Sequence, residues 1–366
     1  MSTVWLPCGL YHQNYAKDHG WWQTNLIKGK MILLLAITFI VFPLTLTGYW
    51  FGVANMVGYT ALGALGVQIL IGYAGLITLG HAAFIAVGAY TSTLLILQFP
   101  WPQFFVDWGL AYPISIIIAG IIAGLWSVLF GLPSVKVKGF YLILTTMAAQ
   151  FITVDFLITQ YISQIGGRGQ AFSVPPGTIK IGPWTIDSEV KTYFLMIILL
   201  TLCVMVVANL LRSKVGRAWI AIRDNDIAAE TLGINIVWYK LINFFVAGFI
   251  AGLAGAFWVS NAAAISPEHF PWFWSLWLVG VILIGGVASI HGVIFGSIFM
   301  VVVMEVIQMG VIELSDIFPS LMVKFLYIKE SVFGLIICAF LIFEPRGLSY
   351  RWWQIKTYFN LWPFSY

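Results

Sequence analysis

In a chain of 366 residues with only 14 Asp and Glu, Asp224, Asp226 and Glu230 fall within seven consecutive positions. Acids gathered this way suit the start of a short helix. Asp224 or Asp226 can accept hydrogen bonds from the free N–H groups of the first turn, and their charge complements the positive end of the helix dipole. Ala228, Ala229, Glu230, Thr231 and Leu232 continue the helix, and Gly233 supplies a natural stop. The expected element is about two turns, on the order of 10 Å long, too short to cross a bilayer. A solvated cytoplasmic turn explains the charges but not Ile227 and Leu232, which are apolar in a loop that needs no apolar residue. Apolar anchors, small alanines beside them and flanking polar or charged residues (Arg223, Asn225 and the acids) are what a helix needs to dock on another protein.

Other residues with chemical potential lie inside apolar runs. Asp155 and Glu305 fall within stretches long enough to cross a membrane, where a charge is costly and marks a functional candidate. Asp155 sits near the end of its run, where it can reach water. Glu305, beside Met304 and Val306, is deeper and suited to a hydrogen bond with a neighbouring helix. His81 and His291 follow Gly- or Ser-containing turns, and helix-end hydrogen bonding suits them better than a proton relay. His81, Phe84, Asp155 and Glu305 are the candidates for lining a translocation path. No Walker A loop, GxSxG or HExxH occurs, and Cys8, Cys203 and Cys338 form no CxxC or Cys/His metal spacing.

The elements that must position these residues are membrane helices. The chain is 61% hydrophobic and 9% charged, where soluble domains are about a quarter charged. Its mean hydropathy is +0.95. A formal charge of +4 without a basic tract gives no reason to expect nucleic acid. With about 20 apolar residues per span, the sequence predicts roughly ten: 31–47, 53–71, 82–98, 110–131, 140–160, 192–211, 241–260, 274–288, 291–309 and 331–343. The stretch "GGVASIHGVIFG" is open to two readings, a turn or a broken helix. The apolar runs do not alternate as barrel strands do. Of the 18 Lys and Arg, 13 fall on one set of connecting segments, including Lys30, Arg223, Arg346 and Lys356, and five on the other, including Arg168, Lys180 and Lys191. The positive-inside rule then places both termini and the 212–240 loop in the cytoplasm. Residues 1–30 read as a cytoplasmic lead, 31–343 as the membrane domain and 344–366 as a cytoplasmic tail. Gly120/Gly124, Gly248/Gly252 and Gly292/Gly296 have the spacing that lets helices approach closely in lipid.

Four stretches, in order, carry a resemblance. "AIRDNDIAAETLGIN" (221–235) resembles the cytoplasmic loop of the LivM-type permease subunits of ATP-driven branched-chain amino acid importers. "GYAGLITLGHAAFIAVGAYT" (72–91) is similar to the family's Gly-rich segment, "VKGFYLILTT" (137–146) to the start of a later span, and "FEPRGL" (343–348) to its Arg-Pro-Arg-Gly-Leu ending. The likeness covers about residues 50–348. The aromatic segment "SPEHFPWFWSLW" (266–277) departs from it. The resemblance implies an all-α polytopic membrane protein with the ABC-importer permease bundle, in a prokaryotic cytoplasmic (inner) membrane. It implies that residues Arg223–Gly233 couple to an ATPase. The expected partners are two ATP-binding subunits, a second homologous permease and an extracytoplasmic substrate-binding protein. The resemblance implies no cofactor on this chain itself, with ATP-Mg held on the partner subunits. Cargo is expected to be a branched-chain or related hydrophobic amino acid, with urea, short amides and aromatic acids as alternatives. A proton-coupled secondary transporter using Asp155 or Glu305 is the reading from a different class.

Overall fold

The structure, a computed structural model, describes residues 25–45, 47–135, 139–162, 171–175, 178–262, 264–315 and 320–361. Lys17, Lys136, Lys138, Arg168 and Cys8, and most of the 164–177 loop, lie outside them.

The apolar runs form helices because a backbone in lipid must satisfy its own hydrogen bonds. In chain order they are α1 (Asn25–Ala36, continuing with a wider π-type turn to Thr45), α2 (Gly48–Val67, continuing to Tyr73), α3 (His81–Leu97), the short α4 (Gln103–Asp107), α5 (Ala111–Gly131) and α6 (Phe140–Gln150, continuing as a π-helix to Ile162). After them come α7 (Glu189–Arg212), α8 (Lys214–Asp224), α9 (Asp226–Thr231), α10 (Ile236–Ala262), α11 (Trp272–Gly285), α12 (Ile290–Ser315), α13 (Ser320–Phe343) and α14 (Leu348–Leu361). Among the described residues nine helices are long and apolar enough to cross a membrane, and α3 is a shorter apolar helix.

The structure adds detail at the N-terminal helix, decides one open reading and corrects one span. Helix α1 begins at Asn25, so the last residues of the 1–30 segment are helical. "GGVASIHGVIFG" is a turn: α11 stops at Gly285, Gly286 has φ +115° and Ala288 φ +62°, and α12 starts at Ile290. Helix α13 begins about three turns before the predicted 331–343 span, so Lys324 and Lys329, read as loop residues, are helical. Their long stems are good helix formers and carry a charge outward along an apolar surface. Two small antiparallel pairings also appear, β1 (Phe172–Ser173) with β4 (Ala264–Ile265) and β2 (Lys180–Ile181) with β3 (Trp184–Thr185).

The helices sort into an inner and an outer set. Of the most apolar windows, 78% of residues are buried in α2 and 72% in α10, against none in α1 and 6% in α13. Helix α10 is the axis, packed along α5 and α3 and against α2. Glycine makes that packing possible: a Cβ on Gly252 of α10 would stand 2.7 Å from the Ala119 carbonyl oxygen and 2.8 Å from Gly120 Cα of α5. Close backbone approach substitutes for the hydrophobic drive that lipid does not provide. The exposed apolar residues of α1 and α13, such as Leu33, Leu44 and Phe343, face outward where a soluble protein would carry charge.

Candidate functional site

The stretch that the sequence marks folds as a hairpin of α8 and α9 set against the end of α10. Ser213 caps α8, accepting from the Val215 amide at 3.2 Å. Trp219, fully buried, donates its indole N–H to the Tyr239 carbonyl at 2.8 Å and fastens α8 to α10. The cap of α9 is neither Asp224 nor Asp226. Asn225 takes that place, its Oδ1 accepting from the Ala228 amide at 3.1 Å. Asp226 stands one residue inside, in the first turn. An uncharged amide caps as well as a carboxylate, a contribution of about 1 kcal/mol. The stop is as expected. Gly233 has φ +83°, its amide donates to Glu230 O at 2.9 Å, and the Ile234 amide donates to Ala229 O at 3.1 Å. These two bonds form the left-handed C-terminal motif that glycine favours.

With both ends satisfied, α9 still exposes apolar surface. Ile227 is 70% exposed and Leu232 81%. Asp224, Asn225, Ala228 and Glu230 are also exposed. The paired alanines divide: Ala228 faces out, whereas Ala229 is buried against the hairpin. Only one of them is free for close approach by another surface.

Arg223 joins the hairpin to the bundle. Its Nη1 donates to the Gly72 carbonyl at 2.7 Å, while Nε and Nη2 reach Asp224 Oδ1 at 3.3 and 3.2 Å. Gly72 lies in the last turn of α2, where free carbonyls and the negative end of the dipole attract a cation. One turn earlier the buried Gln68 donates to the carbonyls of Gly286 at 3.2 Å and Ser289 at 3.1 Å, in the α11–α12 turn. The sequence reading missed Gln68 and Trp219. A glutamine in an otherwise apolar run is a signal for the first, and nothing distinguishes Trp219 among 17 tryptophans.

The second candidate group sits at the start of α3. His81 and Phe84 are both fully buried, with ring centroids 5.9 Å apart at 84°. The backbone amides here are well served. Leu79 N donates to Thr146 Oγ1 of α6 at 3.2 Å, and Ala82 N to Ser275 Oγ of α11 at 2.9 Å. His81 itself differs from expectation: neither ring nitrogen makes a well-formed hydrogen bond among the described residues, and the Gly63 backbone of α2 is the polar group that bears on the ring. Its Nε2 lies where a Cβ on Gly66 of α2 would stand, 2.5 Å away.

The acids lie apart. Asp155 is exposed on the π-helical half of α6. Glu305, half-buried on α12, accepts a hydrogen bond from the Tyr49 hydroxyl of α2, an interhelical bond of the kind expected for it. No hydrogen bond or ion pair among the described residues joins His81, Asp155 and Glu305. Groups of three or more His, Cys, Asp or Glu placed to hold a metal are absent among the described residues.

Residues 49–327 match the family described as branched-chain amino acid transport system / permease component. Over 304 residues the chain is 26% identical to the high-affinity branched-chain amino acid transport system permease protein LivM of Salmonella typhimurium and 27% identical to that of Escherichia coli, covering 77% of this chain and 69% of each relative. A Methanocaldococcus jannaschii relative that also bears the LivM designation is 24% identical over 330 residues, 82% of this chain and 91% of its own. No solved structure matches the chain. The family match spans most of the sequence and coincides with a bundle of long apolar helices, so this multi-pass membrane protein belongs to the branched-chain amino acid transport permease family.

Proposed function

We propose that the chain is one of two membrane subunits of an ATP-driven importer and forms half of the path for a branched-chain or related hydrophobic amino acid. In this reading the α8–α9 hairpin and both termini face the cytoplasm. Two ATP-binding subunits carry the ATP-Mg, a second related permease completes the path, and an extracytoplasmic binding protein delivers the cargo. The observation that carries the reading is the fully capped helix α9 with its exposed Ile227 and Leu232. Such a helix is complete as a fold and incomplete as a surface.

The geometry supplies a route for coupling. A push or pull on α9 reaches α8 through their shared residue Asn225, which ends one helix and caps the other. Arg223 passes the displacement to the end of α2 through the Gly72 carbonyl, and Gln68 passes it to the α11–α12 turn. Since α2 is among the most buried helices, a tilt there repacks the bundle against α3 and α10. Nucleotide and cargo then bias one two-state element from separate sites, which is allosteric coupling in the thermodynamic sense. His81, Phe84 and Glu305 lie on the helices that would move, and we assign them to the path. Asp155, exposed on α6, contributes through a partner surface or not at all.

The test is cargo uptake into vesicles holding the full complex, driven by internal ATP with the proton gradient collapsed by an uncoupler. Uptake of leucine, isoleucine or valine should depend on ATP and survive the uncoupler. Uptake that persists without ATP and collapses with the gradient would turn the assignment toward a proton-coupled transporter, in which the Tyr49–Glu305 pair carries the proton.

A further inference from the structure

The coupling route occupies the Arg223 end of the bundle and leaves the opposite end unexplained. There the aromatic segment 266–277 forms a single turn, Pro267–His269, and the start of α11. It gathers rings from several helices into one series. Tyr59 of α2 touches two indoles, Trp258 of α10 at a centroid distance of 4.7 Å and 39°, and Trp274 of α11 at 5.5 Å and 19°. One turn further along α11, Trp277 stacks with Trp274 at 6.1 Å, and Phe333 of α13 closes the series at 5.1 Å. The exposed His269 meets Trp258 at 6.0 Å and marks the outer end. Tyr59 is 2% exposed and Trp277 6%, so the series leads from the surface into the core.

Burial of apolar area accounts for the rings but not for their nitrogens. The indole N–H groups of Trp258, Trp274 and Trp277 are all buried without a well-formed hydrogen bond among the described residues, and the Tyr59 hydroxyl is the polar group that bears on Trp274. Elsewhere in the bundle the indoles are served. Trp101 donates to Leu95 O at 2.6 Å, Trp126 to Thr153 Oγ1 at 3.0 Å and Trp219 to Tyr239 O at 2.8 Å. An indole N–H can only donate, and a buried donor without an acceptor is costly. Asn55, one turn from Tyr59 on α2, shows the complementary lack. Its Nδ2 donates to Glu189 O at 3.3 Å, while Oδ1 is buried without a partner. No Lys or Arg stacks on these rings: the cation–ring contacts among the described residues lie at Phe325 and Tyr350.

We propose that the Tyr59/Trp258/Trp274/Trp277 cluster is a cargo-binding site that holds the carboxylate of a zwitterionic amino acid on the indole N–H groups and its ammonium at Asn55 Oδ1 and the Tyr59 ring face. The inference rests on the proposed function for the cargo class and for the side of the membrane. Helix α10 starts beside the α8–α9 hairpin, and Trp258 lies 22 residues along it, roughly 33 Å away at 1.5 Å per residue. The site is then at the extracytoplasmic end, where a binding protein releases cargo. Several donors in want of acceptors call for a group with more than one acceptor, and a carboxylate has two oxygens and no donor. Without a protein cation beside it, a buried anion must bring its own counter-charge, which a zwitterion does. The rings then receive the apolar side chain. They are in mutual contact in this structure, and the Tyr59–Trp258 pair, neither stacked nor edge-on, is the one that cargo parts at least loss. Ser275, between Trp274 and Trp277, accepts from Ala82 N at 2.9 Å and links an occupied site to the first turn of α3.

The experiment measures binding of labelled leucine to the full complex in lipid nanodiscs, without the binding protein, beside ATP-driven leucine uptake into vesicles. The competitors are isoamylamine, which is leucine without its carboxylate, and isocaproate, which is leucine without its ammonium. In the wild type each should compete at least about tenfold more weakly than leucine, because the groups it fails to meet stay unpaired. Trp258→Phe/Trp277→Phe keeps the ring contacts and deletes two donors. It should weaken leucine and isocaproate by about tenfold for each donor removed and leave isoamylamine unchanged. Trp108→Phe, at an exposed indole outside the cluster, should change none of the three. Wild-type complex that takes up leucine on ATP but does not bind it in nanodiscs, or binds leucine and isoamylamine alike, overturns the site while the proposed function stands. A uniform loss of all three ligands in the double variant also overturns it, since the indoles are then packing groups. Wild-type vesicles that take up no leucine overturn the proposed function and the site with it.

Discussion

Helix α9 and the first turn of α3 are incomplete in opposite ways. In α9 each backbone end is satisfied, by Asn225 at the start and by the Gly233 turn at the finish, yet Ile227 and Leu232 stand in the open. In the first turn of α3 the apolar surface is fully covered and the backbone amides are served by Thr146 and Ser275, yet both nitrogens of His81 are buried without a well-formed hydrogen bond. The cost of exposed apolar area can be removed only by a surface that covers it. An unpartnered buried polar group can be relieved only by a hydrogen-bonding partner such as a water or a passing ligand. Under the proposed function the first pattern is read as a docking element and the second as a place where something moves.

The largest effect tests whether α9 must be finished before it can dock. Proline at Gly233 cannot reach φ +83° and lacks the amide that donates to Glu230 O. The local cost of about 3 kcal/mol corresponds to roughly a hundredfold loss of ATPase-subunit binding. Gly233→Pro should insert into the membrane at normal yield and fail to co-purify the ATP-binding subunits. Co-purification at unchanged yield would remove the docking role from α9.

Next in size is the link between the two regions. Arg223→Gln removes a charged hydrogen bond to the Gly72 carbonyl while leaving Ile227, Leu232 and both caps untouched. Charged hydrogen bonds contribute about 1.5–3 kcal/mol when sheltered, and less here because Arg223 is partly exposed. ATP-binding subunits should still co-purify with this variant, whereas ATP-driven uptake falls severalfold. If docking and uptake fall together, Arg223 belongs to the docking surface and not to transmission.

At α3 the expected result is a separation of stability from transport. His81→Leu replaces an unpartnered polar ring by an apolar side chain at a fully buried site. Removing a buried group that makes no hydrogen bond is nearly neutral or stabilising. The melting temperature of the purified complex should hold or rise, and uptake should fall. A large drop in melting temperature would mean that the imidazole has a structural partner, and α3 would lose its contrast with α9.

How much of this the sequence disclosed follows from the range of the forces. Hydropathy and glycine spacing are local, so they announced roughly ten spans and the glycines that turn out to form the close α5–α10 seam. Charge is legible where it is scarce, and so the Asp224–Gly233 segment stood out. What stayed hidden depends on neighbours distant in sequence. Asn225 caps α9 in place of either acid because the backbone angle at the α8–α9 corner presents that residue. Ala229 turns inward because α9 packs on α10. The hold of Arg223 on Gly72 spans 151 positions, and no periodicity reports such a bond. The start of α13 was misjudged because Lys324, Lys329 and Glu330 lower hydropathy without interrupting a helix.

The smallest expected effect supplies the control for exposed charge with nothing to dock. Asp187 precedes α7 on a segment separate from the hairpin and pairs with Lys191 at 2.6 Å, four residues on. The Lys191 ammonium, by hydrogen bond and by charge, holds the Asp187 carboxyl below the usual carboxylate range. A carboxyl depressed in the folded state stabilises the protein above its unfolded value of about 3.9. That contribution is lost as pH falls through the lower folded value, where the acid protonates in both states. Both side chains are well exposed, and solvent screens such pairs almost completely. Asp187→Asn should therefore match the wild type in uptake and in ATPase binding. Its melting temperature should trail slightly near neutral pH, and the gap should close as the pH is lowered below about 4. A gap that widens in acid would reverse the sign of the pair. Loss of uptake in this variant would show that exposed charge matters at the β2–β3 end as well, and the special standing of α9 would then rest on Ile227 and Leu232 alone.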